Sequence, residues 1–328
     1  MSENPFQPSP AEASFVAIGD SFTEGLNDTE GLNDTGGSGA AGNPGVAGDL
    51  GAAGGPGAAS AAGLVTGVPG GGYRGWADRL AGLLAAEYPG LRYANLAVRG
   101  KLLRQIVADQ VPAAAAMAPG LVSIAGGGND ILRSGADPDT LAGLLDAGVA
   151  RLQAAGSRVL MFTGFDPVGF PVLRLLRGRI AAYNMHLRAI ADARDCYLVD
   201  LWSMRFLRDT SAWSPDRIHL SAESHRRVAL RAAAVLGVPV TGARAGAGGT
   251  DAGTVPIGPG AASPGADGPG AVSGTSRAAW LAARREDARW AKEYLAPWIS
   301  RRLHGTSSGD GLSAKRPVLE VVTPPVVT

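Results

Sequence analysis

The stretch SFVAIGDSF, residues 14–22, decides how this chain begins its fold. Its first five residues form a short apolar, β-favouring run that ends in Gly19-Asp20-Ser21, a pattern typical of a strand buried in a sheet. A serine hydroxyl is a poor nucleophile unless an adjacent base takes its proton. Ser21 is therefore a candidate nucleophile at the end of the first strand, although taken alone it is more typical of a turn or helix-capping serine.

Strand and helix patterns alternate after residue 72. The sequence predicts further strands at 91–96, 121–125, 158–163 and 197–201, and helices at 73–88, 101–117, 138–155, 174–193 and 220–236. Asp137, just before the helix at 138–155, and Ser221, at the start of the helix at 220–236, are candidate N-caps. Five strands alternating with helices predict one parallel sheet covered on both faces, because right-handed crossovers place the helices there. Ligands of such sheets bind beyond the carboxyl ends of the strands.

Polar or glycine-containing segments lie at those positions. Gly100 follows the second strand, and its backbone N–H can approach a ligand closely because the residue lacks a Cβ atom. Asn129 follows the third strand, where its amide could donate to a developing oxyanion. Asp216 lies three residues before His219, close enough on one loop to reach a ring nitrogen and fix its tautomer. Each segment also has a purely structural interpretation, and we interpret the neighbouring Asp130 as a support of its loop.

In order along the chain, these segments resemble the four sequence blocks of SGNH (GDSL-type) hydrolases. The matching motifs are Gly19-Asp20-Ser21, Asn95-x-x-x-x-Gly100, Gly127-x-Asn129-Asp130 and Asp216-x-x-His219, within about residues 14–240. Phe22 stands where the family's name-giving motif has Leu. The resemblance implies a three-layer α/β/α sandwich, flavodoxin-like, with a five-stranded parallel sheet. It also implies activity as an esterase, lipase, thioesterase or carbohydrate deacetylase.

The resemblance further implies a role for each matching residue. Ser21 would be the nucleophile, His219 the general base and then the general acid, and Asp216 the residue that orients His219. The oxyanion hole would comprise the backbone N–H groups of Ser21 and Gly100 and the side chain of Asn129. His225, within the last predicted helix, is interpreted as structural.

Composition divides the chain into segments. We predict a hydrolase domain at 11–240, a linker at 241–276, a helix at 277–304 and a tail at 305–328. The domain is interrupted at 29–72 by a Gly/Ala-rich segment that opens with a repeat of TEGLND, the sequence of residues 23–28. Such a composition buries too little apolar surface to offset the entropy of ordering, so we interpret 29–72 as a flexible insertion.

Charge and cysteine content exclude several classes of function. The 30 basic and 29 acidic side chains give a net charge of +1, which provides no global field to attract nucleic acid. The single cysteine, Cys196, excludes an internal disulfide, and no residue cluster has the spacing of a metal site, so we expect neither metal nor cofactor. The chain has no run of 18 apolar residues and no apolar leader before Phe15, so we predict no membrane span and a cytoplasmic location.

The sequence thus predicts a serine ester hydrolase that cleaves an acyl or acetyl ester of a small molecule, glycan or lipid. Two alternatives stay open: an acyltransferase or carbohydrate deacetylase with the same site, or a non-catalytic scaffold that acts through the helix at 277–304. Phe22, Phe165 and Phe170 could line an acyl pocket or simply pack their loops onto the sheet. The GTSSG motif at 305–309 matches a nucleophile elbow, but no predicted strand precedes it.

Overall fold

The computed structural model describes residues 5–9, 12–28, 73–170, 172–239, 285, 289, 292–293 and 309–324. The chain divides into two compact units, of which the first contains residues 1–239, 307–326 and 328, and the second contains residues 240–306 and 327. The predicted insertion, the linker, nearly all of the helix at 277–304 and residues 305–308 of the GTSSG motif lie outside the described residues.

The first unit is built on a six-stranded sheet. Its strands are β1 (Ser14–Gly19), β2 (Arg92–Asn95), β3 (Leu121–Ala125), β4 (Arg158–Phe162), β5 (Tyr197–Val199) and β6 (Arg316–Val321). The order across the sheet is β5-β4-β3-β1-β2-β6, and β1 to β5 are parallel. The predicted parallel α/β sheet is therefore confirmed. The strand order changes direction between β1 and β3, which is where ligands of such sheets bind.

The prediction of five strands was wrong by one. β6 pairs antiparallel with the edge strand β2, with Arg92 opposite Val321, although residues 305–328 were predicted to form a tail. The segment RPVLEV contains Pro317 and leaves most of its residues exposed. Proline and exposed polar side chains are tolerated on an edge strand, and for that reason the segment lacks the apolar pattern of the buried strands.

Helices lie within all five predicted segments. The helices are α1 (Ser21–Glu24), α2 (Trp76–Glu87), α3 (Leu103–Gln105), α4 (Val111–Ala116), α5 (Gly128–Ile131), α6 (Pro138–Ala154), α7 (Arg177–Ala193) and α8 (Ala222–Val235). Of these, α1 and α5, which are short, were not predicted. Asp137 and Ser221 accept hydrogen bonds from backbone N–H groups at the starts of α6 and α8, as N-caps do. Among the described residues, no helix has the length and hydropathy needed to cross a bilayer.

The predicted helix at 101–117 is instead three consecutive pieces. A π-helical turn, Ile106–Gln110, separates α3 from α4. Pro112 follows at once and cannot donate an N–H to the preceding turn, which favours a wider turn over a regular helix. The core lies between these helices and the sheet, where side chains from β1, β3 and β4 pack against α4, α6 and α7.

Candidate active site

The carboxyl end of β1 turns directly into α1 at Asp20. The Asp20 side chain caps α1, because its Oδ1 accepts a hydrogen bond from the N–H of Phe22 at 3.1 Å. Ser21 is consequently the first residue of α1, and it is partly exposed beyond the end of the sheet. A short strand–turn–helix of this kind presents the serine on a backbone that hydrogen bonds hold in place.

Gln110 holds the same turn from behind. Its buried amide accepts from the N–H of Gly19 at 2.7 Å and donates to the C=O of Gly19 at 2.9 Å. Gln110 is the last residue of the π-helical turn, so the irregular helix delivers this amide to the end of β1. The sequence analysis missed Gln110, since the two partners lie far apart in the chain and form no motif.

The loop before α8 pairs Asp216 with His219. Asp216 Oδ2 lies 2.7 Å from His219 Nδ1, and Asp216 Oδ1 accepts from the backbone N–H groups of Ile218 and His219 at 3.0 Å each. Burial opposes ionisation of Asp216. The hydrogen bond and positive charge of His219 and the two backbone donors outweigh it, so the pKa of Asp216 lies below its usual value. An ionised Asp216 holds the hydrogen on Nδ1 and leaves Nε2 of His219 as the basic nitrogen.

Ser21 and His219 line the same small cleft. Its other walls are Phe22, Trp213, Ile218, Leu220 and His225. No hydrogen bond joins the Ser21 hydroxyl to His219 among the hydrogen bonds of the described residues. Ser21 and His219 can still act together from this shared cleft, because catalytic hydrogen bonds often tighten only when substrate binds.

His225 is a different kind of histidine from His219. Its Nδ1 accepts from the N–H of Trp76 at 3.2 Å, and the residue is 1% exposed. Burial, with the positive charges of Arg79 and Lys315, lowers the pKa of His225 to about 3. The ring is therefore neutral at ordinary pH, and its Nδ1 contacts a backbone N–H rather than a carboxylate. Of the two, only His219 has the carboxylate partner of a general base.

Asn129 connects two other segments to the nucleophile turn. It lies in α5, directly after β3, and its Nδ2 donates to Asp20 Oδ2 at 3.0 Å and to the C=O of Lys101 at 3.2 Å. Gly127, which precedes α5, has φ +97° and would bring an added Cβ within 2.8 Å of the Tyr183 ring. Glycine is therefore required at position 127 for this turn, which directs α5 toward the end of β1. Asp130 supports the neighbouring loop by accepting from the N–H of Leu103 at 2.9 Å.

The position of Asp20 between these segments changes the pKa of its carboxyl group. Burial raises its pKa to about 6, and the hydrogen bond from Phe22, the charge of His219 and the Asn129 amide offset only part of that increase. Near neutral pH, Asp20 is therefore ionised in a buried place, adjacent in sequence to Ser21 and in contact with Asn129.

Gly100 lies in the loop after β2 with φ +73°, a conformation that glycine adopts without strain. The loop is held by Glu24 of α1. Glu24 Oε2 accepts from the N–H of Arg99 at 2.8 Å, and the two side chains form an ion pair. The sequence analysis missed Glu24. Its contact ties the backbone next to Gly100 to the helix that carries Ser21.

The four sequence blocks therefore meet at one end of the sheet. Asn129 touches the residues next to Ser21 and Gly100, and His219 shares the cleft with Ser21. Among the described residues, no group of three His, Cys, Asp or Glu side chains is arranged to hold a metal ion. The chemistry available here is that of a hydroxyl group, an imidazole–carboxylate pair and neutral N–H donors.

Comparisons with known proteins identify the family and the fold. A model of the GDSL-like lipase/acylhydrolase family matches residues 17–227. The fold resembles an alpha/beta hydrolase enzyme from the metagenome of Lake Arreo, Spain, at 20% identity and a TM-score of 0.51, covering 72% of this chain and 99% of that one. It also resembles a catalytic mutant of Axe2, an acetylxylan esterase from Geobacillus stearothermophilus, at 20% identity and a TM-score of 0.50, covering 69% and 94%. A search of curated proteins found no significant match. At these identities the structural likeness shows the fold alone.

Proposed function

Because the chain belongs to the GDSL-like lipase/acylhydrolase family and is an enzyme acting on ester bonds, we propose that it hydrolyses carboxylic esters through an acyl-enzyme on Ser21. The substrates would be esters of small molecules, glycans or lipids. The observation that carries the proposal is the 2.7 Å contact between Asp216 and His219, on a loop that shares a cleft with Ser21.

In the first half of the reaction, His219 Nε2 takes the proton of the Ser21 hydroxyl as its oxygen bonds to the ester carbonyl carbon. The carbonyl oxygen becomes an oxyanion, and His219 carries a positive charge next to Asp216. His219 then gives its proton to the alcohol oxygen, and the bond between that oxygen and the carbonyl carbon breaks. In the second half, His219 takes a proton from a water molecule as the water oxygen bonds to the carbonyl carbon. The proton then passes to the Ser21 oxygen as its bond to the carbonyl carbon breaks, which releases the acid.

The oxyanion would be stabilised by the backbone N–H groups of Ser21 and Gly100 and by the Asn129 amide. Asn129 already donates to Asp20 and Lys101, so the oxyanion would compete with these acceptors for its N–H groups. The bond to the C=O of Lys101, at 3.2 Å, is the longer of the two. Removing one such donor in comparable enzymes lowers kcat by about 10²–10³.

The test is hydrolysis of p-nitrophenyl esters from acetate to octanoate. Ser21→Ala should lower kcat by about 10⁴ or more, and Asn129→Ala by about 10²–10³ with a smaller effect on KM. Ser203→Ala is the matched control, because the Ser203 hydroxyl is exposed and donates only to the C=O of Asp200 among the described hydrogen bonds. A fluorophosphonate probe should label the wild type and the control but not Ser21→Ala. Equal hydrolysis by Ser21→Ala and the wild type would refute the proposal.

A further inference from the structure

The cleft beside Ser21 is small for an enzyme that acts on esters. Its volume is about 50 Å³. For comparison, an engineered apolar cavity of about 150 Å³ accommodates a benzene molecule, which has six carbon atoms. A third of that volume holds roughly two or three non-hydrogen atoms. An acetyl group has that size, and a hexanoyl chain does not.

One wall of the cleft is Phe22, and it is backed by aromatic side chains. The Phe22 ring lies 5.5 Å from the ring of Trp76 and 5.5 Å from that of Phe162, and those two rings are 4.4 Å apart. Trp76 is completely buried and Phe162 is 6% exposed. Interiors packed this densely do not absorb an extra methylene group without displacing their neighbours. Phe22 therefore cannot retreat inward to admit a longer chain.

Another wall of the cleft is Trp213, which was not predicted from the sequence. Its ring lies 4.4 Å from Phe165 and 5.4 Å from Phe170, so these two phenylalanines support the wall instead of forming the cleft. The indole N–H donates to the C=O of Leu207 at 2.9 Å, and the backbone of Trp213 pairs with that of Leu220. These contacts hold both the indole ring and the backbone of Trp213 in place.

The remaining walls do not favour a charged acyl group. Ile218 and Leu220 are aliphatic, and His225 is buried and neutral, so these three walls offer an ionised acyl group no opposite charge in place of its lost hydration. The cleft therefore suits a short, uncharged acyl group next to the carbonyl carbon that Ser21 attacks.

We propose that this cleft is the acyl-binding pocket and that Phe22 and Trp213 restrict the enzyme to acetyl and similarly short, uncharged acyl groups. The inference rests on the proposed function, because it takes Ser21 as the atom that receives the acyl group. It concerns the acid part of the ester and leaves the alcohol part outside the cleft.

The test compares kcat/KM for p-nitrophenyl acetate, butyrate, hexanoate and octanoate. In the wild type, kcat/KM should fall at least about 100-fold from acetate to hexanoate, since a mismatched methylene group changes it by roughly 10- to 200-fold. Phe22→Leu and Trp213→Leu should each raise the hexanoate-to-acetate ratio at least about tenfold. Phe206→Leu is the control, because this ring contacts Arg227 and is not part of the cleft. The control should keep the wild-type ratio.

The outcomes separate this inference from the function on which it rests. If the wild type cleaves octanoate as fast as acetate while Ser21→Ala is inactive, the pocket assignment is wrong and the Ser21 mechanism stands. If no ester is cleaved and the fluorophosphonate probe does not label Ser21, the proposed function fails and the pocket fails with it. Circular dichroism shows whether Trp213→Leu is folded. If Trp213→Leu is not folded, the comparison rests on Phe22→Leu, because leucine is the residue that the family's own motif has at this position.

Discussion

The side-chain amide of Asn27 donates a hydrogen bond of 2.7 Å to Asp216 Oδ2, the same oxygen that contacts His219 Nδ1. Asn27 follows α1, so the segment that carries Ser21 also reaches the carboxylate that orients His219. Asn27 has φ +71°, a backbone conformation that asparagine and glycine adopt more readily than other residues.

We expect Asn27→Gly to lower kcat by about 3- to 10-fold, which corresponds to the roughly 0.5–1.5 kcal/mol net contribution of one hydrogen bond. Glycine keeps the positive φ, so this variant removes the amide without straining the backbone. Asn27→Asp replaces the donor by a second carboxylate next to Asp216 and should lower kcat further than Asn27→Gly does. The measurement is kcat for p-nitrophenyl acetate. Wild-type values of kcat in both variants would exclude this role of Asn27.

Asp20 predicts a pH dependence of stability. Its pKa rises to about 6 on folding, from an ordinary value of 3.8, because the carboxyl group is buried. Between these values the folded protein keeps a proton that the unfolded chain has released, so the Asp20 contribution to stability decreases as pH rises from about 4 to 6. At 1.36 kcal/mol per pKa unit the decrease amounts to roughly 3 kcal/mol.

Asp20→Asn removes this titration. The free energy of unfolding of the variant minus that of the wild type should therefore increase between pH 4 and pH 6 and then level off, as measured by urea unfolding at each pH. The variant also loses one of the two hydrogen bonds that Asp20 accepts, from Phe22 or from Asn129, but that loss is the same at every pH. A difference that stays constant across the range would contradict the elevated pKa.

The segment 29–72 should be dispensable for folding and activity. The residues that flank it are close together, because the N–H of Arg74 donates to the C=O of Asp28 at 2.7 Å. Replacing 29–72 by two glycines should therefore leave the thermal midpoint and kcat for p-nitrophenyl acetate near the wild-type values, since the entropy of closing a connection changes only slowly with its length. The matched control removes 27–72 instead. It deletes the Asn27 contact with Asp216 and the ion pair of Asp28 with Arg79, and it should lose both stability and activity.

Lys315, next to β6, should be needed for stability. Its buried ammonium group donates to the carbonyl groups of Glu24, at 2.5 Å, and Tyr73, at 3.2 Å, and forms an ion pair with Asp78. Lys315→Met leaves Asp78 buried without this partner and should lower the free energy of unfolding by about 3–5 kcal/mol. Among the described ion pairs, Asp78 then keeps only the longer one with Arg316, at 3.9 Å. Adding Asp78→Leu removes this poorly balanced charge and should restore part of the loss in urea unfolding. No recovery in the double variant would show that the ion pair is not the cause.

The sequence predicted the parts of the fold that local patterns encode. The apolar runs at β1 and β3 and the caps at Asp137 and Ser221 are such patterns, and the comparisons confirm the family that the four blocks suggested. β6 was missed because an edge strand with exposed side chains lacks an apolar run.

The supporting residues of the site could not be predicted for a different reason. Gln110 binds the backbone of Gly19, and Glu24 binds the backbone of Arg99. A backbone group is present in every residue, so these contacts require no particular residue type at the partner position. Both contacts also join distant parts of the chain. The prediction of one helix at 101–117 overlooked Pro112, which follows the π-helical turn and lacks the N–H that a regular helix would need there.

The pairing of Arg92 with Val321 also constrains how the chain reaches its native state. During synthesis, residues 316–321 leave the ribosome long after the first five strands have been made. Until then β2 is an open sheet edge, which can pair with other chains, and Asp78 lacks Lys315. Contacts between segments so distant in sequence form slowly. The closing of this edge is therefore expected to be a late step in folding and the stage at which the nascent enzyme is most prone to aggregate.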